Sequence, residues 1–256
     1  MKSLSAFTKK EFLELTRTGK LLILSILFIL FGIMNPAIAK LTPWLMEMAF
    51  QDIPKAALLL SQIEINALTA WTQFYKNIPL ALIVLLLVFS SILTSEYQKG
   101  TLINMVTKGL ARWKIIAAKS FTAVSLWTLG YWICFGITYG YSAYYWDNRI
   151  ASHLFFSALC FYLLGMWLIS LLFLLSSLLS SNSSVLLISG GIFLGVYLLG
   201  FLPDIKEYLP GYLMNSKELL TSGTEPSAYF CGIAVTILLS LLNYVLATVC
   251  FNRRML

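Results

Sequence analysis

Long runs of apolar residues without any charged side chain alternate along this chain with shorter segments that carry charge. Five runs of at least 19 residues hold no Lys, Arg, Asp or Glu, and together they cover more than half of the sequence. Because about 20 apolar residues in a helix span the hydrocarbon core of a bilayer, each run is long enough to cross a membrane. The runs are residues 21–39, 77–95, 120–146, 150–203 and 226–252.

The run at 150–203 is too long for a single crossing, since it would extend about 80 Å as one helix. The polar cluster Ser-Ser-Asn-Ser-Ser at 180–184 lies just past its middle and predicts a turn there. The runs do not alternate apolar and polar residues as barrel strands do, so we predict an all-α membrane protein. Its six predicted spans are residues 21–39, 78–95, 120–145, 153–179, 185–202 and 228–250.

The distribution of basic residues predicts the orientation of these spans. Twelve of the 18 Lys and Arg residues precede the first span, lie between the second and third spans, or follow the sixth. Basic segments stay in the cytoplasm, so we expect both chain ends there. Ala-Ile-Ala at 37–39 offers an alternative, because it resembles a signal peptidase site. The preceding basic region is long and contains Glu11 and Glu14, which favours a retained first span.

Aromatic residues concentrate at the predicted outer ends of the spans. Trp71 and Tyr75 precede the second span. The end of the third span carries Tyr139, Tyr141, Tyr144, Tyr145 and Trp146. We interpret these rings as a belt at the lipid headgroups, the alternative being contacts between helices.

The composition excludes several classes of protein. Charged residues make up 11% of the chain, against about 25% in soluble domains, so a soluble enzyme is excluded. The chain has no phosphate loop of the form GxxxxGK[ST] and a single histidine, His153, so we predict no catalytic residue and no metal site. We expect free, buried thiols at the four cysteines, which are Cys134, Cys160, Cys231 and Cys250.

No charged residue lies inside the six predicted spans, and Glu96 at the end of the second comes closest. Ion-coupled transporters usually place such residues within their spans. A stand-alone secondary transporter is therefore disfavoured, although backbone carbonyls can also coordinate Na⁺.

Residues 96–114 form a basic connection between the second and third spans. Its apolar residues recur at helical spacing, and basic residues occupy the positions between them. The apolar positions are Leu102, Val106, Leu110 and Trp113, and the basic ones are Lys99, Lys108, Arg112 and Lys114. This pattern predicts a short amphipathic helix at the inner membrane surface, the alternative being a basic loop bound to anionic lipid.

Residues 1–20 have a similar pattern. Four apolar side chains fall on one side of a helical wheel, and most charged side chains lie elsewhere. The apolar four are Leu4, Phe7, Phe12 and Leu15, and the charged four are Lys9, Lys10, Glu14 and Arg17. Glu11 is the exception, because it falls on the apolar side. We predict an interfacial helix that leads into the first span, the alternative being a simple basic flank.

The connection also resembles a known motif, in which Glu-x-x-x-Gly-Thr-Leu is followed by basic residues. Here the motif is Glu96, Gly100, Thr101 and Leu102, with Arg112 and Lys119 after it. It resembles the cytoplasmic loop of ABC-2-type transporter permeases, and six spans in about 250 residues resemble the same family. In that family the loop is a coupling helix that docks in a cleft of a separate nucleotide-binding subunit.

The resemblance implies roles for particular residues. The ATPase contact would involve Glu96, Gly100, Thr101, Leu102, Val106 and Arg112. The N-terminal helix would also touch the ATPase, through Phe7, Lys10, Phe12 and Arg17. The family forms dimers, which makes Gly191 and Gly195 in the fifth span candidates for the dimer interface. The comparable pair Gly136 and Gly140 is open to the same reading or to packing within one chain.

We therefore expect the permease subunit of an ABC exporter, which is not itself an enzyme. Two permeases, identical or homologous, would work with two ATPase subunits that bind ATP and Mg²⁺, while this chain binds no cofactor and no nucleic acid. The expected location is a bacterial plasma membrane, and the expected substrate is amphipathic or hydrophobic, such as an antimicrobial peptide, a lipid or a drug. The alternatives are a secondary transporter and a membrane anchor that recruits a cytosolic partner.

Overall fold

The computed structural model describes residues 2–49, 65–107, 109–200, 202, 205–221 and 223–254, which are helical and contain no strand. The α-helices are α1 (Lys2–Arg17), α2 (Lys20–Ala49), α3 (Ala67–Phe89), α4 (Thr94–Gln98), α5 (Thr101–Thr107), α6 (Arg112–Tyr145), α7 (Leu154–Leu178), α8 (Asn182–Leu199) and α9 (Phe230–Arg253). Short 3₁₀ helices cover Asn148–Ile150, Lys206–Tyr208, Pro210–Leu220 and Pro226–Tyr229. Six of the helices in the described residues are long and apolar enough to cross a membrane, which confirms the prediction of six spans.

The second span begins earlier than predicted, at Ala67 rather than at residue 78. The side chain of Asn66 caps its first turn by accepting a hydrogen bond from the amide of Leu68 (3.0 Å). Trp71 and Tyr75 are buried between helices, so their assignment to an aromatic belt is wrong. The span continues through a turn at 90–93 into α4.

The third span also begins earlier than predicted, because α6 starts at Arg112 rather than at residue 120. Lys119 therefore lies inside a spanning helix and is only 2% exposed. The helix of the third span is therefore longer than the charge-free run within it, and Lys119 lies near its start. The first span is longer than predicted, and α2 continues to Ala49 with Pro36 and Pro43 inside it.

The core of the bundle is built around α7, which packs mainly on α9 and α6 and against the segment Pro210–Leu220. Helices α2 and α6 approach closely where Gly130 lies against the ring of Phe28. Hydrogen bonds also join α2, α3 and α6, since Asn77 donates to Asn35 (2.7 Å) and Asn35 to Thr138 (3.1 Å). Such bonds are a common means of holding spans together, because apolar side chains gain little from leaving lipid.

The segment Pro210–Leu220 covers the end of the bundle opposite α1. It lies against the start of α7, where the hydroxyl of Ser157 donates to the carbonyl of Ser216. The hydroxyl of Tyr229, just before α9, donates to the carbonyl of Asn215 (2.9 Å). This segment therefore caps that end of the bundle. Residues 50–64, in the connection between the first two spans, lie outside the described residues.

Two of the cysteine predictions need correction. Cys134 and Cys160 are buried free thiols, as expected. Cys231 is exposed and Cys250 is partly exposed, because α9 presents one side outward. His153 is exposed and immediately precedes α7, in the left-handed region of backbone conformation (φ 47°).

Candidate functional site

The two ends of the chain lie at the same end of the bundle, which we call the inner end. Lys114 near the start of α6 donates to the hydroxyl of Ser3 (3.1 Å), and Arg112 donates to the carbonyl of Arg254 (2.6 Å). The positive-inside rule places this end in the cytoplasm, and that orientation stays a prediction.

Helix α1 lies against α6 along its apolar side. Phe7 is buried, and the ring of Phe12 meets that of Phe121 edge to face at 6.5 Å. Leu4 and Leu15 are partly buried against the same core. The side chain that departed from the apolar pattern, Glu11, is buried on this side as well.

Glu11 is buried because it belongs to an ion-pair cluster that joins three helices. The inner ion-pair cluster consists of Lys10, Glu11 and Glu14 from α1, Glu96 from α4 and Lys119 from α6. The ammonium group of Lys119 lies 2.7 Å from Glu11 Oε2 and 3.2 Å from Glu96 Oε1. Glu11 and Lys119 thus compensate each other's burial, and each would be costly alone.

Lys10 completes the cluster from its exposed side. Its ammonium group lies 2.7 Å from Glu14 Oε2, 3.0 Å from Glu11 Oε1 and 3.0 Å from Glu96 Oε1. Burial alone would lower the pKa of Lys10, but the hydrogen bond with Glu14 and the charges of Glu96 and Glu11 outweigh it and raise that pKa. Burial alone would raise the pKa of Glu14, but its hydrogen bond with Lys10 and the nearby positive charges lower it. Both groups are therefore held in their charged forms.

The cluster is not fully satisfied, because Oε1 of Glu96 is shared by two ammonium groups while its Oε2 is buried without a hydrogen-bond partner in the described structure. An unpaired buried polar atom is costly, so Glu96 is the least satisfied member of the cluster. One carboxylate oxygen from each of Glu11, Glu14 and Glu96 lies within 4.8 Å of the others, close enough to share a metal ion. The ammonium groups of Lys10 and Lys119 already bridge these carboxylates, so the arrangement is suited to holding helices together.

Residues 96–114, which we call the coupling segment after the role that the resemblance implies, begin at Glu96 of this cluster. Gly100 has a positive φ of 65°, a conformation that glycine adopts readily, and it separates α4 from α5. Leu102 is 1% exposed and fixes α5 to the bundle, whereas Ile103 is 46% exposed. Val106 is partly buried on the same side as Leu102. Helix α5 therefore turns one side outward at the inner end.

Arginines cap two other helices at the inner end. Arg112 donates to the carbonyls of Phe251 (3.3 Å), Asn252 (3.0 Å) and Arg254 (2.6 Å). Arg254 donates to the carbonyls of Ser177 (2.9 Å) and Leu179 (3.0 Å) at the end of α7 and to the hydroxyl of Ser180 (2.8 Å). Cations are favourable at helix C-termini, where carbonyls lack intrahelical partners.

The structure brings together some of the predicted site residues and separates others. Lys10, predicted as part of the N-terminal helix, is in direct contact with Glu96, predicted as part of the connection 96–114. Arg112 faces the end of α9, and Arg17 is exposed at the end of α1. Gly191 and Gly195 lie on α8, away from these residues, with open space beside them. Sequence reasoning did not assign Glu11, Glu14 or Arg254 to the site. Glu11 alone gave a signal, as a charge on an apolar face.

The described part of the chain thus forms a bundle with six helices long enough to span a membrane, and its described salt bridges all lie at the inner end. A family model described as "ABC-2 family transporter protein" matches residues 6–220, and the chain therefore belongs to that family. A search of curated proteins found no match. Family membership identifies the chain as a multi-pass ABC transporter permease and implies association with an ABC ATPase.

Proposed function

We propose that this permease couples to its ATPase through the outward side of α1 and the coupling segment, and that the inner ion-pair cluster carries the ATPase's movement into the spans. The observation that supports this proposal is the cluster itself. It fixes α1 to α4 and α6 by salt bridges of 2.7–3.2 Å at the end where the basic residues concentrate. A force on α1 therefore reaches the second and third spans directly.

The surface proposed for ATPase contact mixes apolar and basic groups. Ile103 is 46% exposed and Trp113 is 49% exposed. Lys99, which precedes both in the sequence, is exposed as well. On α1, Leu13 and Arg17 are exposed. Exposed apolar anchors within a polar rim are typical of protein–protein contacts. Gly100 and Thr101 set the direction of α5, and the hydroxyl of Thr101 donates to the carbonyl of Glu96 (3.4 Å).

We further propose that two permease chains associate through α8. Of the residues in Asn182–Leu199, all of which the structure describes, Val185 and Ser189 are the buried ones. Gly191 and Gly195 have no atom within 4 Å of where a Cβ would lie, so another helix can approach closely there. The exposed aliphatic and aromatic side chains of α8 suit an amphipathic or hydrophobic substrate that is exported between the two chains.

The coupling proposal is tested by co-purification of this chain with a co-expressed partner ABC ATPase. Ile103→Asp and Trp113→Ala should reduce both the amount of bound ATPase and its stimulated ATP hydrolysis. Tyr144→Ala is the matched control, since Tyr144 is an aromatic residue that is 81% exposed at the outer end of α6. Unchanged assembly and hydrolysis in both inner-end variants would overturn the proposal.

The alternative of a stand-alone secondary transporter has its own test. Lys119 and Glu96 are charged residues buried at a span end, which are the kind of groups that ion-coupled transporters use. Transport by the purified chain in liposomes, driven by an ion gradient without an ATPase, would establish this alternative. The mutual pairing of these groups favours the structural role.

A further inference from the structure

The side chain of Arg254 contacts three separate elements at the inner end. Its guanidinium group caps α7 through the carbonyls of Ser177 and Leu179. The same group lies over the ring of Tyr97, with 4.1 Å between the guanidinium carbon and the ring centroid. Arg254 itself directly follows α9. A planar guanidinium can make several directed hydrogen bonds and still stack on an aromatic face.

Tyr97 follows Glu96 in α4 and so belongs to the coupling segment. Its contact with Arg254 therefore connects Arg254 to that segment. Its ring also lies near that of Phe251 in α9, with 6.0 Å between the ring centroids. Two further contacts join α4 to the turn between α7 and α8. Gln98 donates to the carbonyl of Ser180 (3.3 Å), and Thr94 contacts Asn182.

The end of α9 is held in turn by Arg112 at the start of α6, which donates to three of its carbonyls. Arg112 thus connects α6 to the end of α9. Arg254, which directly follows α9, connects that end to α7 and α4. The described salt bridges of the inner ion-pair cluster all lie between α1, α4 and α6. Helices α7 and α9 are therefore reached from the coupling segment by a different route.

We propose that Arg254 is a positioning residue that transmits movement of the coupling segment to α7 and α9. This inference rests on the proposed function, since it presumes that an ATPase moves the segment. When α4 shifts, the face of Tyr97 displaces the guanidinium group, which holds the ends of both helices. The inner ends of α7 and α9 then move with α4. Without Arg254, α1, α4 and α6 would still respond fully to nucleotide, whereas α7 and α9 would respond less, through the contacts of Arg112 and Phe251 that remain.

Backbone hydrogen exchange of the assembled permease–ATPase complex tests this inference. Exchange is measured without nucleotide and again with ATP and orthovanadate. In the native chain we expect a nucleotide-dependent change in exchange at α1 and the coupling segment, and also at 170–178 and 247–253. In Arg254→Ala the first change should persist in full and the second should be reduced. Arg253→Ala is the matched control, because Arg253 is an exposed arginine one position earlier.

A second pair of variants separates this role from simple stabilisation. Tyr97→Leu removes the aromatic face but leaves the caps on α7, whereas Tyr97→Phe keeps the face. We expect Tyr97→Leu to reduce the response at 170–178 and 247–253, and Tyr97→Phe to retain it in full. A purely structural role would speed exchange in both nucleotide states and leave their difference in place.

The outcomes distinguish the two proposals. No nucleotide-dependent change anywhere in the native complex would overturn the proposed function. A response at α7 and α9 that persists in full in Arg254→Ala and Tyr97→Leu would overturn the inference alone. An equal reduction in Arg253→Ala would also overturn it, because the effect would then follow from the loss of one positive charge.

Discussion

Replacing Lys119 by methionine would remove the positive charge at the centre of the inner ion-pair cluster while keeping an unbranched side chain. Two lysines and three glutamates give the intact cluster a net charge of −1, which the replacement changes to −2. Glu11 and Glu96 would then be buried with only Lys10 as a shared partner. We expect α1 to loosen from α6 as a result.

The size of the effect follows from the geometry. At 2.7 Å the attraction between Lys119 and Glu11 is about 6 kcal/mol for an effective dielectric constant of about 20, before desolvation is subtracted. Removing one partner of a buried ion pair typically costs about 3–5 kcal/mol. Because 1 kcal/mol shifts the Tm by about 2–4 °C in a protein of this size, the Tm should fall by about 6–20 °C.

Thermal unfolding in detergent, followed by tryptophan fluorescence, measures this change. Lys9→Met is the control, because Lys9 is an exposed lysine on α1, outside the inner ion-pair cluster. The double variant Glu11→Gln with Lys119→Met should have a higher Tm than Lys119→Met alone, since it no longer buries the unpaired Glu11 charge. A Tm for Lys119→Met equal to that of the native chain, or an equal loss in Lys9→Met, would refute the assignment of a buried ion pair.

Three further predictions concern other parts of the molecule. Because the pKa of Glu14 is lowered, its contact with Lys10 stabilises the protein above the ordinary glutamate pKa. This stabilisation is lost as the pH falls through the lowered pKa. The Tm should therefore decline in acid, and Glu14→Gln should reduce that decline. The raised pKa of Lys10 keeps its contribution present throughout neutral pH, and the contribution is lost only as strongly alkaline pH exceeds that raised value. Gly165→Ala would place a Cβ 2.3 Å from the ring of Trp127 and should cost about 1–3 kcal/mol, whereas Gly136→Ala, with open space, should not lower the Tm. Asn77→Leu deprives Asn35 of its donor and should cost about 0.6–1.7 kcal/mol, so an unchanged Tm would contradict the role of that hydrogen bond.

The number of spans was predictable from the sequence because lipid imposes a direct requirement, namely about 20 residues without charge for each crossing. The ends of the helices were not predictable, because a helix can continue beyond the charge-free run that is long enough to cross the lipid. Lys119 lies within α6 and is buried against Glu11, a partner 108 positions away in the sequence. A local pattern contains no information on such a pairing.

Only part of the candidate site was predictable, because its residues also come from distant parts of the sequence. The basic connection and the Glu-x-x-x-Gly-Thr-Leu motif identified Glu96, and amphipathicity identified α1 with Lys10. Their direct contact required the tertiary structure, as did the use of Arg254 as a cap for α7. The charge of Glu11 on an otherwise apolar face was the one local sign of a contact between α1 and the bundle.

The separation of Glu11 from Lys119 along the chain also sets an order of events during biogenesis. Helix α1 is synthesised first, yet its partner emerges 108 residues later. At about 5–20 residues per second, α1 waits for about 5–20 s before Lys119 is available. During that time Glu11 has its neighbour Lys10 as a partner but lacks Lys119. The inner end of the bundle therefore closes only after the third span has been inserted, which makes completion of that end a late step in the maturation of the nascent chain.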